Sequence, residues 1–205
     1  MTKPTQELNE TPVRYFIAVK LSDDAKKEIR NVFGPLLGNI DGRAVPDEGL
    51  HLTLKFLGGL SEEKIESAKK IVSEAAAEFS SFRVSLGKTG SFPARKPKCF
   101  IRRGGVLWAG VRKGREELAA LSKFVSLRAK ESLGIPKDSK EFIPHITLCR
   151  LSSKRAPKDF YSLRFISSFT AEKLFLIRSE LHLSGARYRD IFAAKFPNSR
   201  GEASQ

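Results

Sequence analysis

Two short stretches of this chain repeat one phrase: Leu50-His51-Leu52-Thr53-Leu54-Lys55-Phe56 and Pro144-His145-Ile146-Thr147-Leu148-Cys149-Arg150. Both read His-aliphatic-Thr-Leu, and their histidines stand 94 positions apart (145 − 51). On a β-strand, side chains at i and i+2 share a face. His51 with Thr53, and His145 with Thr147, therefore look one way, while Leu52 with Leu54, and Ile146 with Leu148, look the other. Two imidazoles, each beside a hydroxyl donor, make a two-sided anion site. Around a phosphate, a neutral imidazole takes a proton from the attacking oxygen and a protonated one gives a proton to the leaving oxygen. An unperturbed histidine titrates near pH 6.5 and supplies both forms. Thr53 and Thr147 would donate to non-bridging oxygens, where charge accumulates. By the same parity Lys55 adds positive charge to the site. Arg150 sits at an odd offset from His145, so it reaches the site only if the strand ends or bulges there, a bend that a bidentate guanidinium on phosphate would justify.

Other chemistries fit these residues less well. Neither motif contains a carboxylate at metal-ligand spacing, so no metal site is expected. Gly58-Gly59 and Gly104-Gly105 lack the spacings of nucleotide-cofactor loops. A Ser-His-Asp triad would leave one histidine unexplained. Cys149 shares the strand parity of His145, but a small buried side chain is the ordinary role of such a cysteine. Cys99 and Cys149 are the two cysteines and form no C-x-x-C pair. His182 has no threonine two residues on and reads as a packing or surface residue. Trp108, Tyr15 and Phe16 read mainly as core, with base stacking the lesser role.

At 205 residues the chain is long enough for one sizeable domain or two intertwined lobes. Thirty-seven Lys and Arg against 23 Asp and Glu give a net charge of +14, which suits a polyanionic partner such as nucleic acid. No 18-residue apolar run exists, so no membrane partner is expected. Residues 1–11 lack a secretory apolar segment and read as a disordered lead-in, which points to a cytoplasmic protein. Residues 12–196 read as one bilobal domain, expected to be a monomer, and residues 197–205 as a disordered tail. A buried strand is predicted from Val13. Ser22 and Ser61 are predicted to cap helices, the first broken at Gly34-Pro35, the second running to about Phe79. A strand over 82–88 leads to a turn at Ser91-Phe92-Pro93. Strands at Cys99–Ile101 and Val106–Val111 would form a hairpin around Gly104-Gly105. A third helix spans about 116–133 with Gly134 as its cap. Residues 152–159 read as a mobile basic loop, and 172–178 and 187–196 as closing strands. The order is not the regular alternation of a doubly wound sheet, so the fold class is α+β with two similar lobes facing each other.

At these residues the sequence resembles the two-histidine (2H) phosphoesterase superfamily, defined by two H-x-T-x motifs, and within it the RNA 2′,3′-cyclic phosphodiesterase branch, formerly called 2′-5′ RNA ligase. The similarity runs through Arg14–Ala18, the stretch RAVPDEGLHLTLKFLG at 43–58, Ser91-Phe92-Pro93, Leu107–Val111, Phe142–Arg150 and Gly185–Tyr188. The resemblance implies two antiparallel sheets with outer helices, related by a pseudo-twofold about a central cleft. It implies hydrolysis of a cyclic phosphate end of RNA, or of a cyclic nucleotide, to a 2′-phosphate without cofactor or metal. It gives His51 the role of general acid and His145 that of base, with Thr53, Thr147 and Arg150 on the phosphate. Reversible 2′-5′ ligation at the same site, or RNA binding without catalysis, are the alternatives. The loop Lys154-Arg155-Ala156-Pro157-Lys158 and the cluster Arg102-Arg103 are candidate backbone contacts.

Overall fold

A computed structural model describes residues 13–93, 104–152, 156–182 and 185–198. Strand β1 (Val13–Lys20) opens the chain, and five of its eight residues are buried in succession. Helix α1 (Asp23–Phe33) starts where the Ser22 hydroxyl accepts from the Ala25 amide, with Asp23 and Asp24 in its first turn. It gives way at Gly34-Pro35 to a 3-10 turn. The short β2 (Gly42–Ala44) and β3 (His51–Gly58) follow, then α2 (Glu62–Glu78) behind Ser61. β4 (Phe82–Phe92), β5 (Val106–Lys113), α3 (Arg115–Leu133) and β6 (His145–Leu151) make the second half. β7 (Ser168–Ala171), β8 (Lys173–His182) and β9 (Gly185–Lys195) close it.

All pairings are antiparallel, and the strands run β7-β4-β5-β6-β3-β1-β8-β9, with β2 pairing to β6 off that path. The order reads as two four-stranded halves, β3-β1-β8-β9 and β6-β5-β4-β7, back to back. Each half contains a strand, a helix and a motif strand in sequence: β1, α1, β3 in one and β5, α3, β6 in the other. The halves are interwoven. After β3 the chain crosses by α2 to place β4 on β5, and after β6 it returns through β7 to place β8 on β1. The two motif strands meet through the pair Leu52–Ile146, which joins both halves into one nine-stranded sheet.

One face of that sheet carries the main core. Leu52, Leu54, Leu107, Ala109, Ile146 and Leu148 pack there with the inward residues of the helices, such as Ile29, Val72, Leu121 and Val125. Those helix residues recur at three- and four-residue spacing, as an amphipathic helix requires. The opposite face is open and, among the described residues, carries a second, small buried cluster of Phe16, Ala18 and Ile177, flanked by Phe175 and Tyr188.

Three local expectations change. β4 continues through Ser91 and Phe92, where a turn was expected, because these residues pair with Leu107 and Val106. The strand at Cys99–Ile101 lies outside the described residues, and β5 takes β4 as its antiparallel neighbour. The basic loop after β6 contains a 3-10 turn, Lys158–Ser162, pinned by the fully buried Phe160, whose carbonyl accepts from Thr89 Oγ1 at 2.7 Å. Arg102, Arg103, Lys154 and Arg155 lie outside the described residues. Among the described residues no helix is long and apolar enough to cross a membrane.

Candidate active site

The two motif strands are built alike, including an irregularity that parity alone does not foresee. On β3, Thr53 pairs with Ala18 and Lys55 with Ile17, so Leu54 is an extra residue. On β6, Thr147 pairs with Trp108 and Cys149 with Leu107, so Leu148 is extra. Each is a β-bulge three residues after its histidine, and each reverses the face of everything beyond it. His51, Thr53, His145 and Thr147 are half-buried on the open face. Past the bulges, Lys55 and Cys149 turn into the packed side, and Phe56 and Arg150 come out.

Lys55 therefore does not join the site. Its side chain is 2% exposed and its ammonium donates to the Pro136 carbonyl at 2.8 Å and to Asp138 at 2.9 Å. It ties β3 to the connection that leads from α3 into His145. Cys149 is fully buried, and burial pushes its thiol up to about 11, which leaves it a poor nucleophile. Arg150 meets the condition set by its odd offset. It is exposed on the open face, close enough that its charge acts on His51.

The antiparallel pair Leu52–Ile146 fixes how the motifs face each other. Continued by one residue either way, that register sets His51 across from Thr147 and Thr53 across from His145. The result is a local twofold in which each imidazole neighbours the other motif's hydroxyl.

Aromatic rings hold both imidazoles. His51 stacks on Phe16 at 4.7 Å and receives Tyr188 edge-on at 5.3 Å. His145 meets the edge of Phe92 at 4.8 Å, with Trp108 at 6.4 Å. Phe16 and Trp108 thus lie beside the imidazoles and not in the main core, against their sequence reading, and Phe92 lies there too. Trp108 is seated by Gly90: a Cβ there would lie 2.2 Å from the indole ring. Tyr188 and Phe92 were missed as site residues. They lie far from either motif in sequence, and only pairing of β9 and β4 into the halves brings them close.

The two imidazoles differ electrically. His145 Nδ1 lies 2.7 Å from the Ile143 carbonyl, which can only accept, so Nδ1 carries the hydrogen and Nε2 keeps its lone pair. Burial lowers the His145 pKa, and that hydrogen bond opposes the shift. For His51 the Gly49 carbonyl stands at the matching place and raises basicity slightly. Its geometry falls short of a hydrogen bond, and Nδ1 is buried without a partner among the described residues. Burial first, then the charges of Lys20, Arg150 and His145, bring the His51 pKa down to about 4. The Leu52–Ile146 pair sets the two imidazoles on neighbouring strands of one face.

No group of three His, Cys, Asp or Glu side chains able to hold a metal occurs among the described residues. A cavity of about 330 Å³ beside α1 is lined by Asp23, Lys26, Arg30, Asp47 and Glu48. Four of these charges pair with one another, Arg30 with Asp47 and Lys26 with Asp23, and neither motif histidine lines the cavity.

A cleft with an H-x-T-x strand on either side of a local twofold defines a two-histidine phosphoesterase. The LigT-like phosphoesterase family profile matches residues 19–101. An RNA 2′,3′-cyclic phosphodiesterase of Archaeoglobus fulgidus is 33% identical over 184 residues, 87% of this chain and 98% of the relative. One from Aquifex aeolicus is 33% identical over 142 residues, 69% of this chain and 72% of the relative. Among solved structures, E. coli LigT complexed with 3′-AMP superimposes with a TM-score of 0.75 at 25% identity, covering 90% of this chain and 98% of the other. The chain belongs to the LigT-like phosphoesterase family of the 2H superfamily.

Proposed function

We propose that this protein opens the 2′,3′-cyclic phosphate at an RNA end, or in a cyclic nucleotide, to a 2′-phosphomonoester, without metal, by paired histidine catalysis. Relatives of about one-third identity bear the name of that activity. The observation that carries the reading is the bulged register of β3 and β6, which turns two imidazoles, two threonines and Arg150 toward one open face.

His145 is the base. Its Nδ1–H is committed to Ile143, so Nε2 accepts a proton from water as the water oxygen bonds to phosphorus. The P–O3′ bond breaks and the departing 3′ oxygen takes a proton from His51. With a pKa of about 4, free His51 is neutral at pH 7. An incoming phosphate anion offsets the Arg150 and Lys20 charges that disfavour protonation, so the acid is loaded as the substrate binds. Thr53, Thr147 and the Arg150 guanidinium hold non-bridging oxygens. The substrate partner is RNA, engaged by a monomer.

The test is turnover of 2′,3′-cyclic AMP and of a short RNA with a cyclic phosphate, with the product identified. His51→Ala or His145→Ala should each lower kcat by roughly 10²–10⁴-fold, and EDTA should change nothing. Near-normal turnover by either variant, or loss on chelation, would reject the mechanism.

A further inference from the structure

The two bulges leave Leu54 and Leu148 without a partner in the ladder, and the buried carbonyl of each needs a donor from elsewhere. For Leu148 the donor is main chain: the Val45 amide, one residue past β2, reaches its carbonyl at 2.8 Å. For Leu54 it is a side chain: the Ser122 hydroxyl, in the middle of α3, donates to its carbonyl at 2.9 Å. We propose that Ser122 is a positioning residue, whose hydroxyl holds the β3 bulge in place and so aims Thr53 at the phosphate. The inference rests on the function proposed above.

Ser122 lies on the inward face of α3 with Leu118, Leu121 and Val125, all fully buried, and is itself 6% exposed. A serine there adds nothing to the helix, because its hydroxyl competes for backbone partners and alanine is the better helix former. What the hydroxyl supplies is the bond to Leu54. The next residue of β3 is gripped as well, since the Lys55 ammonium donates to the Pro136 carbonyl and to Asp138, just beyond the end of α3. Four polar side chains are buried among the described residues, and two of them, Ser122 and Lys55, meet at this one bulge. Consecutive residues of β3 are thus tied to α3 and to the segment that follows it, which fixes where the extra residue falls.

Thr53 is the motif residue that this placement controls most directly. His51 is held by the rings of Phe16 and Tyr188. Thr53 adjoins the extra residue and takes its place from the backbone, paired with Ala18 on one side and set across from His145 on the other. Should the extra residue fall at Thr53 instead of Leu54, its hydroxyl would leave the regular open face. The β6 bulge needs no such side chain, because the backbone of the β2 segment caps it.

The test is a double-mutant cycle on 2′,3′-cyclic AMP with wild type, Ser122→Ala, Thr53→Ala and the pair. Val125→Ala is the control: it weakens the same buried face of α3 without removing a donor from the bulge. All are assayed under conditions where urea unfolding shows them folded. Ser122→Ala should lower kcat about tenfold, within the loss that a displacement of about 1 Å can cause, while Val125→Ala should stay near wild type. In the Thr53→Ala background the same Ser122→Ala step should cost less than about twofold, because the group it aims is gone. A loss of equal size in both backgrounds, no loss in either, or a matching loss in Val125→Ala overturns the proposal. If wild type fails to hydrolyse the substrate, the proposed function fails instead. Affinity for inorganic phosphate then decides the role of Ser122 separately: binding weakened in Ser122→Ala and not in Val125→Ala supports it, and equal affinities reject it.

Discussion

The strands that carry His51 and His145 match through their bulges and then part company. Four residues after each histidine both chains turn inward, to Lys55 in one and Cys149 in the other. Five residues after, both turn out to the open face, to Phe56, 68% exposed, and to Arg150. The scaffold is therefore nearly twofold while the side chains are not. One side has a guanidinium and an imidazole whose hydrogen is fixed by Ile143; the other has a phenyl ring and an imidazole left without that bond. A symmetric frame of this kind suits a reaction that needs an acid and a base at equal reach of one phosphorus atom. In the proposed mechanism, the asymmetry assigns the two roles.

Loss of either imidazole is the largest effect expected, and the next tests the asymmetry itself. Arg150→Gln should reduce kcat/KM by roughly 10–100-fold, the scale of a charge-assisted hydrogen bond to an anion. Phe56→Gln, at the equivalent place, should change it by less than about threefold, because that residue offers the anion no charge. Steady-state kinetics on 2′,3′-cyclic AMP decide it. Equal losses would mean that both mouths of the cleft hold the phosphate.

The buried pair at the preceding position separates in stability. Lys55→Ala leaves the Pro136 carbonyl without its donor and opens a gap beside the core, so a loss of about 2–3 kcal/mol is expected in urea unfolding. Asp138 is well exposed and hydrates on its own, so its ion pair adds little to that figure. Cys149→Ala removes one sulfur atom from a packed site and should cost about 1 kcal/mol. Lys55→Ala should also lower kcat, since Lys55 tethers the segment that enters His145. Equal stabilities would show that the tether carries no weight.

These residues also mark how far sequence reasoning reaches. Period-two alternation places His, Thr and their alternate leucines on the correct faces, because nothing interrupts the strand over those four residues. It fails at Lys55, since an extra residue in a ladder leaves no mark in a sequence of strand-forming side chains. Arg150 escapes the same failure only because its useful orientation itself demanded a bulge. Phe16 and Trp108 read as core because an apolar residue in an apolar strand is equally at home against a helix or against an imidazole. Which face it takes depends on register, and register depends on the partner strand. The helices were legible from Ser22 and Gly134, where capping chemistry is local, whereas Ser61 takes the N-cap position of α2 without a side-chain hydrogen bond to it. β7 was not, being four residues held in place by β4.

The smallest effect expected concerns protons, and it too divides the two histidines. An unfolded chain has both near pH 6.5, whereas the folded chain holds His51 at about 4 and His145 at a lesser depression set by burial and opposed by Ile143. Between pH 6.5 and about 4 the unfolded state therefore binds more protons than the folded one. Stability is complete above that window and declines as the pH falls through it. The His51 share of the decline should be about 1–2 kcal/mol between pH 7 and pH 4.5, discounted because its ring opens on the cleft. His51→Asn should flatten the urea-midpoint curve over this range more than His145→Asn does. Inorganic phosphate should shift the His51 titration upward in wild type, because the anion favours the imidazolium that burial and Arg150 disfavour. Curves equally steep in both variants would mean that the two imidazoles occupy equivalent surroundings, and the division into acid and base would lose its physical ground.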